Sequence, residues 1–400
     1  MKKILLSLLL AATALPAVAA ELTLVESVPD GTVYGSTYTV RPQAVWLEML
    51  DSAKKTLDIG QFYIADREGE VLEPQLAAVK AAVKRGVKVR FLVDKLMLKE
   101  SERSLPALKE AGVQVRVVDF KKAVGGVQHA KFFVVDGAEV YVGSQNFDWR
   151  SLRHIHELGL RIKSPKAAAD LTLLFEGDWA LAGGAEPKKM FPRKGKAELV
   201  LSRPEKASLN GAEVSYSLAF SPVGFVPKGA DTEIGVLVKL LEKAKHTVRG
   251  QVMLYALAEY GSRRWADLDT AIRKAAARGV KVELILADWA MGGKADRDIK
   301  SLAKTDNIDV KISSLPQHES GFIPFSRVEH LKYLVVDGET GFITTSNWGP
   351  GYFLTSRGVA VVLKGAAAGR ALEDIFARAW SGPYAQPVDP LKEYQPVKRN

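Results

Sequence analysis

The chain contains no cysteine among its 400 residues. This absence excludes a disulfide scaffold, cysteine-ligated metal sites and catalysis by a thiol. After the first 20 residues, no segment is long and apolar enough to predict a membrane-spanning helix. The folded core must therefore be stable through burial alone, which a chain of this length can achieve.

The first 20 residues have the layout of a secretory signal peptide. Lys2 and Lys3 are positively charged, residues 4–10 are apolar, and residues 17–19 are small. This order predicts a signal peptide over residues 1–20 and an exported protein, periplasmic or secreted. The alternative is an uncleaved membrane anchor. The short apolar run and Pro16 favour cleavage.

Charge is unbalanced toward the positive sign. The formal net charge is +10, which falls by two to +8 without Lys2 and Lys3. A basic exported protein is suited to anionic partners, such as nucleic acid, anionic phospholipid or the cell envelope. Charge alone does not distinguish among them.

The sequence is internally duplicated. The string Arg-Gly-Val-Lys-Val occurs at residues 85–89 and again at 278–282, each time between a helical pattern and a strand pattern. The alternation predicts an α/β fold with a mostly parallel, buried sheet in two lobes related by a pseudo-twofold axis. We expect the lobes to span residues 21–198 and 199–400, with a linker at 185–198 and an extended tail from Gln386.

Each half carries the same polar constellation, in which a strand is expected to start at a histidine. The first copy consists of His129, Lys131, Asp136, Ser144 and Asn146. The second copy has identical intervals and consists of His330, Lys332, Asp337, Thr345 and Asn347. Two H-x-K-x4-D motifs are therefore present in one chain.

The spacing has a chemical meaning. Alternate residues of a strand face the same way, so the histidine and lysine of each motif project together, and the asparagine ends the next strand. This set suits a phosphodiester, because lysines and amides stabilise developing negative charge. One imidazole can form a phosphohistidine while the other acts as general acid and then base. No metal or other cofactor is required.

Two pairs of motif residues have supporting roles in this interpretation. Asp136 and Asp337 lie several residues along each strand, and we expect them to organise the site through hydrogen bonds. Ser144 and Thr345 position either backbone or phosphate, and simple turn chemistry is an equal alternative.

The two motifs identify the chain as a member of the phospholipase D superfamily. Residues 143–152, 323–330 and 345–348 resemble the phospholipase D3/D4 branch. The resemblance implies a duplicated fold of two α-β-α sandwich lobes with one active site between them, so that a monomer suffices. It also implies 5′-exonuclease activity on single-stranded nucleic acid, with lipid chemistry ascribed to the branch as well.

The resemblance assigns roles to individual residues. It implies a catalytic set of His129, Lys131 and Asn146 together with His330, Lys332 and Asn347. In the family a carboxylate downstream of the first motif orients the histidine, and Glu157 matches that place. The equivalent position of the second half is Gly358, so His330 must find another partner. The asymmetry is consistent with unequal roles of the two histidines but does not assign them. The resemblance itself implies His129 as the nucleophile and His330 as the acid.

Other residues near the motifs admit two interpretations. His154 and His156 are either metal ligands or neighbours of the site on one strand face. We expect most of the nearby aromatic side chains to be core and one or two to stack on bases; they are Trp149, Trp348, Tyr352, Phe325 and Tyr333. Three arginines, Arg150, Arg153 and Arg327, either bind phosphates or are solvated.

Three functions remain open from the sequence. The first is an exported nuclease on single-stranded DNA or RNA. The second is a phospholipase D or phosphatidyl transferase on membrane phospholipid, and the third is a catalytically silent protein that binds nucleic acid or the envelope. Intact motifs disfavour the third. The chain shows no amphipathic insertion helix, which favours the nuclease over the lipid enzyme.

Overall fold

The computed structural model describes residues 20–187, 203–258 and 264–400. The predicted signal peptide, except for Ala20, lies outside the described residues. The predicted lobe boundary and most of the predicted linker also lie outside them. Within the described residues, no helix combines the length and the apolarity needed to cross a membrane.

The N-terminal half alternates short strands and helices. Its strands are β1 (Ala20–Ser27), β2 (Thr56–Gly60), β3 (Ile64–Ala65), β4 (Lys88–Asp94), β5 (Gln114–Val118), β6 (Phe132–Val135), β7 (Glu139–Gly143), β8 (Phe147–Asp148) and β9 (Glu157–Lys163). Its helices are α1 (Pro42–Ser52), α2 (Glu73–Lys84), α3 (Leu98–Ser101), α4 (Ser104–Glu110), α5 (Phe120–Val124), α6 (Trp149–Arg153) and α7 (Pro165–Ala182), with a 3₁₀ helix at Lys95–Met97.

The C-terminal half repeats this order. Its strands are β10 (Glu205–Leu209), β11 (Ala212–Ser221), β12 (Asp231–Thr232), β13 (Thr247–Val252), β14 (Lys281–Ala287), β15 (Ile308–Ser313), β16 (Lys332–Val336), β17 (Thr340–Thr344), β18 (Gly358–Lys364) and β19 (Ala385–Pro387). Its described helices are α8 (Glu233–Lys243), α9 (Asp267–Ala277), α10 (Asp296–Ala303), α11 (Pro350–Leu354) and α12 (Ala366–Trp380), with a 3₁₀ helix at Asp288–Ala290.

Hydrogen bonds between strands give the two halves matching sheets. The N-terminal order is β5-β4-β2-β6-β7-β9-β1, and the C-terminal order is β15-β14-β13-β16-β17-β18-β11. Strand β10 joins them, because it pairs in parallel with β1 and antiparallel with β11. The predicted duplication of the α/β unit is therefore confirmed in the strand order.

The expectation of a mostly parallel sheet was wrong. In each half only two pairings are parallel, β2–β4 and β4–β5 in the first and β13–β14 and β14–β15 in the second. The other four pairings of each order are antiparallel. The reason is a tight hairpin after each motif strand. Asp136 and Gly137 have φ values of 52° and 63°, and the corresponding Asp337 and Gly338 have 53° and 63°. Asp-Gly with two positive φ angles favours a two-residue hairpin turn, which forces antiparallel pairing.

The repeated Arg-Gly-Val-Lys-Val string makes the same contacts in both halves. The Arg85 guanidinium donates to the carbonyl oxygens of Leu50 and Ala53 at 3.0 and 3.3 Å. Arg278 repeats this with Leu241 and Ala244 at 2.7 and 3.3 Å. Each arginine therefore satisfies carbonyl groups at the C-terminal end of a neighbouring helix, α1 or α8.

The hydrophobic core consists of one cluster within each half and one cluster formed by both halves. One cluster of buried apolar side chains fills the N-terminal half and a second fills the C-terminal half. A third cluster combines side chains of both halves, including Phe132 and Phe175 with Val359 and Phe376. Helices α7 and α12 contribute to this shared cluster, which holds the two sheets together and fixes the relative position of the motifs.

Candidate active site

The two motifs are joined by hydrogen bonds that cross between the halves. The backbone N–H of His330 donates to the carbonyl oxygen of His156 at 2.9 Å, and the N–H of His129 donates to that of Arg357 at 3.1 Å. These bonds make a short parallel bridge on each side of the pseudo-twofold axis. The histidine of each half therefore lies beside the segment that follows the motif of the other half. The strands themselves begin later than expected, at Phe132 and Lys332.

This crossing determines which histidine receives the carboxylate. Glu157 directly follows His156, and its Oε1 forms a short hydrogen bond with Nδ1 of His330. The assignment of Glu157 to the histidine of its own half was therefore wrong. The physical reason is the crossed pairing, which places residue 157 beside His330 and its counterpart Gly358 beside His129. The orienting partner of His330 is Glu157.

The surroundings of His129 are aromatic. The ring centroids of Phe62 and Tyr352 lie 5.1 and 4.9 Å from that of His129. A side chain at position 358 would collide with the buried Glu233 carboxylate, because a Cβ built there would lie 2.2 Å from Glu233 Oε2. Glu233 instead forms hydrogen bonds with Thr344 and Ser346. The two histidines thus occupy different environments within a duplicated frame.

The two lysines are matched and fully buried. Lys131 and Lys332 are both 0% exposed, and each ammonium group donates to the carbonyl oxygen of the histidine of its own motif. Burial, together with the charge of Lys332, holds the pKa of Lys131 well below its usual value. Burial also lowers the pKa of Lys332 to about 7, against the opposing effect of Glu157. In the free site, the positive charges of the two lysines are therefore not fully balanced by nearby carboxylates.

Burial and the two lysines also shift the pKa values of the candidate acid–base groups, His129, His330 and Glu157. Burial, followed by Lys131 and Lys332, lowers the pKa of His129 well below its usual value. Burial and the same lysines also lower the pKa of His330. Burial raises the pKa of Glu157, whereas the positive charges of Lys332 and Lys131 oppose this shift and favour the carboxylate form. A buried anion placed between the lysines would reverse the effect of these cations.

The asparagines complete the set. Asn146 and Asn347 are 5% and 2% exposed, and neither side-chain Oδ1 has a hydrogen-bond partner within the described residues. Buried polar atoms are usually paired in folded proteins, so the two unpaired Oδ1 atoms indicate that these amides face a ligand or water instead of other protein groups. The structure therefore brings together both histidines, both lysines and Glu157, and Asn146 lines the same pocket as His330. Asn347 is buried at the equivalent position of the second half.

The motif aspartates do not organise this site. Asp136 lies at the opposite end of β6, where its carboxylate accepts from the N–H groups of Lys54, Lys55 and Thr56 at 2.7–2.8 Å. Asp337 accepts in the same way from three N–H groups, those of residues 245–247. The expected role near the reacting groups was wrong, because the aspartate follows the lysine by five residue steps of extended strand, roughly 16 Å. Both aspartates instead fasten the start of a neighbouring strand.

Ser144 and Thr345 position backbone, as one of the two interpretations predicted. Ser144 Oγ accepts from the N–H of Leu158 at 3.1 Å, and Thr345 Oγ1 accepts from that of Val359 at 3.0 Å. Their own N–H groups donate back to Leu158 and Val359 at 3.0 Å. Both residues extend the pairing that presents residues 157 and 358 to the site.

The flanking arginines are committed to protein partners. Arg150 forms an ion pair with Asp148 at 2.8 Å, and Arg153 forms one with Asp30 at 2.6 Å. Arg327 donates to the carbonyl oxygens of Pro316 and Asp30 at 2.6 and 2.8 Å. Of the aromatic residues singled out in the sequence, Trp149, Trp348 and Tyr333 are buried, which confirms the core interpretation for most of them.

A buried cationic side chain directly precedes residue 157 in the first half and residue 358 in the second. These residues are His156 and Arg357, and the sequence alone did not indicate their ion pairs. His156 is buried between Glu26 and Glu329, at 3.0 and 2.7 Å. Although burial lowers its pKa, the two carboxylates raise the pKa of His156 to about 9. Arg357 is fully buried against Asp178 at 2.8 Å. Among the described residues no group of three or more histidine and acidic side chains is arranged to bind a metal.

Comparison with known proteins identifies the family. The family described as "Cardiolipin synthase, PLD-like domain" matches the chain twice, at residues 46–179 and 237–380. These two matches include both histidine motifs and cover more than half of the chain. The chain belongs to the phospholipase D superfamily.

Similar proteins place the chain near one branch of that superfamily. It is 33% identical to the 5′-3′ exonuclease PLD3 of Homo sapiens over 397 residues, which cover 92% of this chain and 81% of the human protein. It is 30% identical to a probable phospholipase D of Caenorhabditis elegans, over 91% of this chain and 70% of that protein. The phospholipase D3-like relationship predicted from the motifs is confirmed.

Solved structures support the phospholipase D fold. Phosphatidylserine synthase of Haemophilus influenzae Rd KW20 superposes with a TM-score of 0.60 at 15% identity, covering 86% of this chain and 85% of that chain. Polyphosphate kinase of Porphyromonas gingivalis gives a TM-score of 0.58 at 15% identity, covering 94% of this chain and 50% of that chain. The chain is thus a phosphodiesterase of the phospholipase D superfamily with a duplicated fold.

Proposed function

We propose that this protein is an exported nuclease that cleaves single-stranded nucleic acid through a phosphohistidine on His330. The observation that carries the catalytic assignment is the hydrogen bond between Glu157 and Nδ1 of His330. A carboxylate on one imidazole nitrogen fixes the tautomer and raises the basicity of the other nitrogen. Nε2 of His330 is therefore the better nucleophile of the two imidazoles.

The first step joins His330 to phosphorus and breaks the bond to the leaving oxygen. The Glu157–His330 hydrogen bond keeps one proton at Nδ1 and leaves Nε2 without one. Nε2 attacks the phosphorus atom while His129 gives its proton to the departing oxygen, which leaves as an alcohol. Burial and the lysines lower the pKa of His129 in the free site, and the bound phosphodiester anion opposes that effect.

The second step regenerates the enzyme. His129, now neutral, takes a proton from water, the water oxygen bonds to phosphorus, and the bond to His330 breaks. Lys131, Lys332, Asn146 and Asn347 face the non-bridging oxygens in both steps and stabilise the charge that develops there. This scheme reverses the roles expected from the sequence, because their structural premise, Glu157 behind His129, does not hold.

Three observations support nucleic acid as the substrate. The similar human protein is named a 5′-3′ exonuclease, the identity extends over most of both chains, and the net charge is +10. Residues 1–20 support export through their signal-peptide pattern. A second candidate is phospholipid cleavage or phosphatidyl transfer, since one relative is named a probable phospholipase D.

The test compares both substrate classes with one enzyme preparation. Single-stranded DNA and RNA labelled at the 5′ or the 3′ end, and phosphatidylcholine vesicles with a labelled headgroup, are incubated with the mature chain. The double variant His129→Asn/His330→Asn is the control for contaminating activity. We expect stepwise shortening of oligonucleotides from the 5′ end and no release of the headgroup. Headgroup release with intact oligonucleotides would establish the lipid enzyme instead.

A further inference from the structure

An apolar pocket opens beside His330 and Asn146. It has a volume of about 160 Å³, and its walls include Tyr63, Ile155, Met253, Trp289, Phe325 and Val328. The two halves of the chain both contribute to it. Ligand sites in proteins are usually apolar pockets with a few polar groups that converge on them, and this pocket combines apolar walls with His330 and Asn146.

Phe325 is the unusual member of this wall. It is 48% exposed, and its backbone has φ 55°, as does that of Arg327. Positive φ angles in residues other than glycine are strained, and they persist where surrounding contacts hold them. Here Arg150 donates to the carbonyl oxygen of Pro324 at 3.3 Å and Arg327 donates to that of Pro316 at 2.6 Å. These two hydrogen bonds help to hold the loop that carries the exposed Phe325 ring at the pocket.

The C-terminal tail contacts two aromatic residues of the pocket, Phe325 and Trp289. The carbonyl oxygen of Arg399 accepts from the N–H of Phe325 at 2.6 Å. The guanidinium of the same Arg399 donates to the carbonyl oxygen of Trp289 and lies 5.1 Å from the centre of its ring. A single residue near the end of the chain therefore connects Phe325 of one loop with Trp289 of another.

We infer that this pocket binds the nucleobase of the nucleotide whose phosphate becomes attached to His330. This inference rests on the proposed function. In an in-line displacement the leaving oxygen departs on the side opposite to Nε2 of His330, toward His129. The pocket is lined by His330 and not by His129, so it lies away from the leaving group and is available to the group that is retained. Aromatic walls bind nucleobases by stacking regardless of sequence.

Size and chemistry favour a base over a lipid. A volume of about 160 Å³ is below the usual 300–1,000 Å³ of pockets for drug-sized ligands, so it suits one planar ring system better than two acyl chains. A pocket that takes one base beside the scissile phosphate also accounts for removal of one nucleotide at a time. The pocket thereby links the reacting imidazole with the nuclease activity.

The test uses two chromogenic diesters that differ only in the base. One is thymidine 3′-(4-nitrophenyl phosphate), and the other is its abasic counterpart with 1,2-dideoxyribose. Release of nitrophenol leaves the sugar phosphate on the enzyme in both cases. For the wild type we expect kcat/KM to be about tenfold or more higher with the base than without it.

Three variants locate that preference. Phe325→Ala should reduce the ratio of the two kcat/KM values to within about threefold of unity, because it removes the ring on which the base would stack. Arg399→Ala should lower the ratio in the same direction. The matched control is Phe322→Ala, because Phe322 is a similarly exposed phenylalanine, at 42%, and does not line the pocket. Thermal unfolding of each variant checks that the fold is intact.

The outcomes separate the pocket from the proposed function. A wild-type ratio near one, or an unchanged ratio in Phe325→Ala, overturns the nucleobase pocket even if oligonucleotides are degraded. Cleavage of the abasic diester and of phosphatidylcholine without cleavage of oligonucleotides overturns the nuclease itself. A ratio that falls equally in Phe322→Ala and Phe325→Ala also contradicts the assignment, because the effect would then not come from the pocket wall.

Discussion

Glu157 of the N-terminal half hydrogen-bonds Nδ1 of His330 in the C-terminal half, 173 residues further along the chain. The corresponding position beside His129 is Gly358, and the nearest carboxylate there, Glu233, binds hydroxyl groups instead. The duplicated site is therefore asymmetric in its acid–base groups while it is symmetric in its lysines and asparagines. This asymmetry leads to distinct expectations for each residue.

Replacement of Glu157 should impair the first chemical step. Glu157→Gln keeps the shape but no longer raises the basicity of His330, so kcat should fall about 10²–10⁴-fold with little change in KM. The loss should appear even with a nitrophenyl leaving group that needs no proton. Glu233→Gln, an equally buried carboxylate that binds no catalytic histidine, should stay within about threefold of wild type. Equal losses in both variants would argue against an orienting role for Glu157.

The two histidine variants should differ in the covalent intermediate that accumulates. His129→Asn removes the acid and the water-activating base, so a nitrophenyl diester should still phosphorylate His330 and the adduct should persist. Mass spectrometry of peptides after rapid quenching at alkaline pH detects it, because phosphohistidine is acid-labile. His330→Asn should form no adduct. An adduct on His129 in the His330→Asn enzyme would restore the opposite division of roles.

Anions should stabilise the fold through the lysine pair. Burial lowers the pKa of Lys332 to about 7, and an anion bound between Lys131 and Lys332 would raise it again. Tungstate, a phosphate analogue, should therefore raise the midpoint of thermal unfolding by several degrees at concentrations far above its Kd. Lys332→Met should abolish the shift, whereas Lys281→Met, at an exposed lysine of the same half, should retain it. A shift that survives in Lys332→Met would place the anion elsewhere.

His156 should stay protonated at pH values where most histidines are neutral. Although burial lowers its pKa, Glu329 and Glu26 raise the pKa of His156 to about 9. The raised pKa gives stability that is complete below about pH 6.5 and is lost as pH rises through about 9. It amounts to roughly 3 kcal/mol. NMR titration of ¹⁵N-histidine should show His156 titrating near 9 and the nearby His154, whose pKa burial lowers to about 4, titrating far below it. Coincident titrations would contradict the buried ion pairs.

Asp136 should matter for stability and little for catalysis. Its carboxylate accepts three backbone N–H groups at the start of β2, so Asp136→Ala should lower the free energy of unfolding by about 2–4 kcal/mol. Asp136→Asn, which tolerates the positive φ angle, should cost less. The kcat of the folded fraction should stay within about threefold of wild type in both, measured below the unfolding transition. A large fall in kcat in a variant that is as stable as the wild type would instead indicate that Asp136 takes part in the reaction.

The sequence was sufficient to single out the side chains of the candidate site and insufficient for their pairing. Equal intervals within each half are visible along the chain, and they identified His129, Lys131 and Asn146 with their counterparts. The partner of each histidine depends on the crossed bonds from His330 to His156 and from His129 to Arg357, which no local pattern contains. Residue 157 was accordingly matched to the wrong half.

Two other differences have simple physical origins. Asp136-Gly137 and Asp337-Gly338 are strong hairpin signals. This local turn chemistry predicts antiparallel neighbours more directly than the α/β alternation predicts parallel ones. The contact between Arg399 and Phe325 joins the last residues of the chain to a strained loop, and composition of the tail gives no indication of it. Local turn chemistry was thus available from the sequence, whereas the long-range contact was not.

The crossed hydrogen bonds also mean that the candidate site cannot be completed within one chain until most of the C-terminal half has been synthesised. A ribosome completes His129, Lys131 and Glu157 long before it reaches Arg357, whose carbonyl oxygen binds the N–H of His129. An unfinished chain that ends after α7 contains one imidazole and one lysine of the site, and Glu157 has no His330 to orient. Such a chain lacks half of the imidazole and ammonium groups that the proposed reaction uses. Assembly of the site within one polypeptide therefore depends on residues that lie about 200 positions apart, such as His129 and Arg357.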